Sequence, residues 1–148
     1  MSASPDILAL AMKSLPHGPE FRFVDRMISL TPGKTGVGEY HIRGDEYYLR
    51  GHLPGEPILP GVLLVEAAAQ VAGMVAQDDP ANPRWPRLKL AALRGVKILG
   101  TVQPGQTLRI EANITGQLDS MIQAQVSAFV KDTKVLSAEL SLSGNGKK

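Results

Sequence analysis

The sequence predicts an α+β fold: one antiparallel sheet wrapped around one long central helix. Three observations carry that reading. Candidate elements run in the order two strands, one long helix, four strands. The helix, 61–76, is apolar nearly all round, and a helix apolar on every face must be buried on every face. The later strand candidates alternate cleanly between apolar and polar residues, the pattern of strands with one face on a core. Such a sheet leaves open edges that a second copy of the chain can cover.

Each element has its own local justification. Residues Pro5–Ser14 form a short helix, with Ser4 as N-cap and Pro5 at the first helical position. Phe21–Leu30 and Thr35–Ile42 are strands on either side of "TPGK", a turn with Pro then Gly at its centre. Residues 44–60 are rich in Gly and Pro and are expected to be loop. Gly61–Ala76 is the central helix, ~24 Å long at 1.5 Å per residue. The polar, proline-broken "QDDPANPRWP" then connects it to four strands: Leu88–Leu99, Thr107–Thr115, Met121–Val130 and Thr133–Leu142. In the second of these, Leu108, Ile110, Ala112 and Ile114 share a face. The tail, residues 143–148, is expected to fray. No internal repeat or linker divides the chain, so residues 1–148 are expected to form one domain.

Composition narrows the function classes. The chain of 148 residues is 43% hydrophobic and 20% charged, ordinary for a globular domain. A formal net charge of +2 argues against nucleic acid as the main partner. The chain has no cysteine, which removes disulfides and thiolate metal sites and fits a cytoplasmic setting. The N-terminal "MSASPDILALAMKSLPHG" lacks the basic region of a signal peptide. No run approaches the ~18 apolar residues of a membrane span, so no membrane role is expected.

Chemistry concentrates in "RGHLPGEPILPGVLLVEAAAQVAG", residues 50–73. Glu66 interrupts the apolar helix, and Gln70, four residues on, shares its face. A buried carboxyl without a cation tends to stay protonated and is then a general acid. The alternative reading is structural: Glu66 bonds to a neighbouring backbone group or to an arginine from elsewhere. His52 lies in the Gly- and Pro-rich loop before the helix and is a candidate base. The first N–H groups of the helix, those of Gly61 and Val62, have no partner within it and can polarise a carbonyl oxygen. A base, an acid and an oxyanion donor in one segment point to proton chemistry beside a carbonyl.

The segment "GHLPGEPILPGVLLVEAAAQVAG" resembles the signature of FabZ-type 3-hydroxyacyl-[acyl-carrier-protein] dehydratases. "LPHGPEFRFVDRMISLTPGK" resembles that family's opening strand, and "VQPGQTLRIEANI" its proline-glycine turn and following strand. The resemblance spans residues 15–142 and implies a hotdog fold. It implies that His52 is the catalytic histidine and Glu66 the catalytic carboxylate. It implies further that Gly61 donates its N–H to the thioester carbonyl, with Val62 beside it, and that Gln70 is a helix glutamine near the substrate. A glutamate at position 66 resembles this family rather than the related dehydratase-isomerases, which use aspartate there. The implied reaction is loss of water from a (3R)-3-hydroxyacyl chain on acyl carrier protein, giving the trans-2-enoyl thioester in fatty-acid or related synthesis. No cofactor or metal is implied. The family builds each site from two chains, so a homodimer is the minimum unit, and trimers of dimers are common in it.

Several positions depart from the family pattern. Leu53 stands where Phe is usual, Gly18-Pro19-Glu20 where Arg-Tyr-Pro is usual, Ile98 where Phe is usual, and Leu99-Gly100 where a basic pair is usual. They leave the chemistry in place and bear on the substrate tunnel and on carrier docking. Between Pro80 and Ile110 there is no acidic residue, while Arg84, Arg87, Lys89, Arg94, Lys97 and Arg109 fall there. This stretch is either a docking surface for an acidic carrier or a solvated face. His17, His41 and His52 show no metal-ligand spacing, and His17 is expected to order the loop before the first strand. Two other functions fit the same fold: an acyl thioesterase with Glu66 acting on water, and a non-catalytic subunit that binds acyl carriers.

Overall fold

A computed structural model describes residues 4–52 and 55–144, apart from the side chain of His52. Helix α1 spans Pro5–Lys13, and the Ser4 hydroxyl accepts a hydrogen bond from the Ile7 N–H, as its N-cap position predicts. Strands β1 (Arg26–Thr31) and β2 (Thr35–His41) form the first hairpin. Helix α2 covers Tyr47–His52, and the central helix α3 covers Gly61–Val75. Strands β3 (Lys89–Ile98), β4 (Thr107–Leu118), β5 (Met121–Val130) and β6 (Thr133–Ser143) follow. All six strands join one sheet in the order β1-β2-β4-β5-β6-β3, and every neighbouring pair is antiparallel. The sheet packs around α3, which is the hotdog arrangement.

Two glycines let the helix approach. A Cβ at Gly36 would lie 2.7 Å from Val75 Cγ2, and one at Gly38 would lie 2.9 Å from Val71 Cγ2. Both glycines sit on the inward face of β2, so the side chains of α3 fill the space that theirs would need. From the other strands Leu108, Ile110, Ala124, Val126, Leu136 and Leu140 close the core, each at most 1% exposed. This is the inward face that the alternation in β4 predicts.

Four expectations need correction. The strand expected over Phe21–Leu30 begins only at Arg26, after a single 3-10 turn at Pro19–Phe21. The backbone of Phe21 and Phe23 is hydrogen-bonded to the Gln70 side chain on α3, so this stretch lies against the helix rather than in the sheet. The loop expected over 44–60 contains α2. Its start is fixed by Glu46, whose carboxylate accepts hydrogen bonds from the N–H groups of Arg43 and Gly44, while Leu49 is buried beneath it. The central helix is not buried on every side, because Val62 in its first turn is 75% exposed. Finally, Ser143 belongs to β6, and the Gly144 N–H donates to the Ser120 carbonyl, so the chain is still paired where fraying was expected to begin. Residues 145–148 lie outside the described ones.

Strand β3 is an open edge. Among the described residues it pairs only with β6, and all ten of its residues are exposed, including Leu90, Leu93, Val96 and Ile98.

Candidate active site

Glu66 projects from the second turn of α3 and is partly buried, its side chain 22% exposed. One turn later Gln70 is 2% exposed and fully engaged. Its Oε1 accepts from the Phe23 N–H at 2.9 Å, and its Nε2 donates to the Phe21 carbonyl at 2.8 Å and to Glu66 Oε2 at 3.0 Å. One acceptor and two donor hydrogens are thus satisfied by protein. Gln70 locks the crossing segment 21–23 to the helix and holds one oxygen of the carboxyl.

His17 reaches the same oxygen, with Nε2 3.4 Å from Glu66 Oε2. Its ring stacks on Phe21, with centroids 6.0 Å apart and planes at 22°. Its carbonyl accepts from Arg22 Nε at 2.7 Å, and Arg22 Nη2 also donates to the Leu15 carbonyl, so arginine ties the loop down. The sequence reading gave His17 only the ordering of that loop. No spacing signal links positions 17 and 66, which meet only because the loop crosses α3. Glu66 Oε1 has no partner among the described residues, and neither an arginine nor a backbone group bonds to this carboxyl.

Beside Glu66 opens a cavity of about 230 Å³. It follows one face of α3 through Gln70, Gly73, Met74 and Gln77, with Trp85 and Leu88 on the facing segment. Gly73 and Gln77 fall seven and eleven residues after Glu66, so helical spacing would have marked them as sharing its face.

At its other end, α3 starts from Pro60 without a side-chain cap, and the N–H groups of Leu63 and Leu64 turn back to the Pro60 carbonyl. The N–H groups of Gly61 and Val62 have no partner among the described residues. The Leu59 N–H donates to the Val102 carbonyl at 2.8 Å and fixes the approach to the helix. A Cβ on Gly61 would lie 2.8 Å from Ile98 Cδ1, so the end of β3 stands beside the helix start.

His52 is the last residue of α2. Its side chain lies outside the described residues, as does all of Leu53. The helix that carries it is anchored by a contact of 2.7 Å between the hydroxyls of Tyr40 and Tyr48. Burial, reinforced by the Tyr40 hydroxyl, pushes the Tyr48 phenol far above its ordinary pKa. Burial raises Tyr40 as well. Glu46 goes the other way: burial alone would raise its carboxyl, but the Arg43 and Gly44 N–H groups, with the Arg43 guanidinium, hold it below 4.5.

A FabA-like domain model matches residues 15–139. The chain is 36% identical over 140 residues to the 3-hydroxyacyl-[acyl-carrier-protein] dehydratase FabZ of Chloroflexus aggregans, covering 95% of this chain and 94% of that one. It belongs to the FabZ-type dehydratase family. Against the FabZ dehydratase of Geobacter metallireducens, identity is 39% over 132 residues, 87% of each chain. The fold is shared with more distant structures. The dehydratase heterocomplex ApeI:P from Xenorhabdus doucetiae superposes with a TM-score of 0.77 at 18% identity, over 93% of this chain and 91% of its own. An uncharacterized protein from Pyrococcus horikoshii gives 0.66 at 16% identity, over 85% and 86%.

The basic stretch of this FabZ-type chain is split by the fold. Arg84 pairs with Asp78 at 3.7 Å and lies over the Trp85 ring, while Arg109 pairs with Glu111 at 3.3 Å and lies over Phe129. Lys89, Arg94 and Lys97 lie along the open edge β3 and have no ion-pair partner among the described residues. Among those residues no group of His, Asp and Glu is arranged to hold a metal ion, and no helix is long and apolar enough to cross a membrane.

Proposed function

We propose that this chain removes water from a (3R)-3-hydroxyacyl thioester on acyl carrier protein and releases the trans-2-enoyl thioester. The observation that carries the reading is Glu66: one carboxyl oxygen is held by Gln70 and the other has no partner among the described residues, at the edge of a largely apolar cavity. The Gly61 and Val62 N–H groups receive the thioester carbonyl, which acidifies the C2 proton. His52 takes that proton. The C2–H electron pair becomes the new double bond as the C3–O bond breaks. Glu66, protonated, gives its proton to the departing hydroxyl, which leaves as water. His52 then returns a proton to solvent and Glu66 regains one. None of these steps needs a cofactor.

His52 and Glu66 of one site come from two chains in this reading. The exposed β3 edge supports it, because an open strand bearing Leu90, Leu93, Val96 and Ile98 is a template for pairing with a second copy. A homodimer is the working unit and a trimer of dimers its larger assembly, in the cytoplasm. Lys89, Arg94 and Lys97 supply positive charge for an acidic carrier.

The direct test is incubation with a 3-hydroxyacyl thioester while following enoyl absorbance. A rise in absorbance supports dehydration. Release of free thiol instead identifies a thioesterase, and binding without turnover identifies an acyl-binding subunit.

A further inference from the structure

The cavity beside Glu66 has a floor. Gln77 makes a paired clamp on the Trp85 backbone: its Nε2 donates to the Trp85 carbonyl at 2.7 Å, and its Oε1 accepts from the Trp85 N–H at 2.9 Å. Both residues are nearly inaccessible, at 2% and 3% exposed. The Arg84 guanidinium lies 4.9 Å over the indole ring. The Trp85 segment is therefore pinned just past the C-terminal end of α3, while Glu66 stands near its start. Between them the wall falls away at Gly73, where an added Cβ would meet only Leu88 Cδ1, at 4.0 Å.

We infer that Trp85 is the stop that sets acyl chain length, with a medium-length chain lying across Gly73 and its methyl end against the indole. This rests on the dehydratase reading of the same site. The path sets the length. From Glu66 to Met74 the helix advances ~12 Å. An extended chain gains ~1.2 Å per bond, by the span of three backbone bonds per residue, so this path passes about ten bonds. With C3 at Glu66, a chain of about twelve carbons then reaches the floor.

Two experiments test this. The first compares kcat/KM for 3-hydroxyacyl thioesters of four, eight, twelve and sixteen carbons. Trp85→Ala is expected to raise the sixteen-to-eight ratio at least tenfold. Gly73→Leu, which fills the middle of the cavity, is expected to lower the twelve-to-four ratio at least tenfold. If Trp85→Ala does not fold, Trp85→Leu is read in the same way. A folded Trp85 variant with an unchanged ratio overturns the stop, and an unchanged ratio in Gly73→Leu overturns the path. The second experiment does not need turnover. Trp85 is the only tryptophan in the chain, so indole emission reports directly on the floor. In Glu66→Gln, N-acetylcysteamine thioesters of ten or twelve carbons are expected to shift that emission, and the four-carbon thioester is not. Equal responses to all lengths overturn the inference. Length-dependent shifts in a wild type that dehydrates none of these thioesters would preserve the stop and defeat the dehydratase reading instead.

Discussion

His17 Nε2 stands 3.4 Å from Glu66 Oε2, the same oxygen that accepts the Gln70 amide at 3.0 Å. Two groups from one chain thus converge on one carboxyl oxygen, while the other has no partner among the described residues. The carboxyl is aimed by residues of its own chain.

Glu66→Gln keeps the shape of the side chain and removes its proton. Its amide oxygen still accepts from Gln70, so the fold is expected to be as stable as wild type in a thermal melt. Dehydration is expected to fall ~100-fold or more, the usual cost of losing a proton-transfer group. A large drop in melting temperature instead would make Glu66 chiefly structural.

Gln70→Leu is expected to act through structure first. It leaves the buried Phe23 N–H and the Phe21 carbonyl without partners. At ~1–3 kcal/mol for an orphaned buried group, the variant is expected to lose about 2–4 kcal/mol in denaturant unfolding. Activity is expected to fall as well, because the carboxyl loses the hydrogen bond from Gln70. A variant as stable as wild type would show that segment 21–23 does not depend on this clamp.

Mixing two inactive variants tests whether a site is shared. His52→Ala and Glu66→Gln, unfolded together and refolded as a mixture, form about half mixed dimers by random pairing. If each site takes His52 from one chain and Glu66 from the other, every mixed dimer has one intact site. Activity is then expected to recover to about a quarter of wild type by the same count. No recovery, with mixed dimers confirmed by mass spectrometry, would place both residues of a site in one chain.

The loop that starts α2 carries a pH dependence. Hydrogen bonds from Arg43 and Gly44 hold the Glu46 carboxyl below its ordinary value of 4.5 in the folded chain. A lowered carboxyl pKa stabilises the fold above the unfolded value, and that contribution is lost as pH falls through the folded one. At pH 7, Glu46→Gln is expected to melt below wild type by about 2–4 °C. The gap is expected to close as pH drops below 4.5. A gap that stays constant from pH 7 to pH 3 would show that the ionised carboxyl is not what holds this turn.

Local pattern by itself determined the α+β plan, six strands with the first begun five residues too early, and α3 to within one residue, because periods of 2 and 3.6 residues are written directly into the order of apolar and polar side chains. The motif at residues 50–73 also marked Glu66, Gln70 and the first N–H groups of the helix, those of Gly61 and Val62, which lie on one short segment. Tertiary structure alone decided that Glu66 meets His17 and that Trp85 closes the cavity beside it. His17 is 49 residues away and Trp85 19, and no period relates them to the helix. Gln70 pulled segment 21–23 out of the expected strand, since a buried amide satisfied by two backbone groups outweighs the strand preference of Phe and Val. Glu46 made a helix where Gly and Pro predicted loop, by satisfying the N–H groups of Arg43 and Gly44 just ahead of its first turn. Both are contacts made by side chains with backbone, and the second operates over only two or three residues. They still escape the pattern, because hydrophobic period records which face is buried and says nothing about which polar atom will find a partner there.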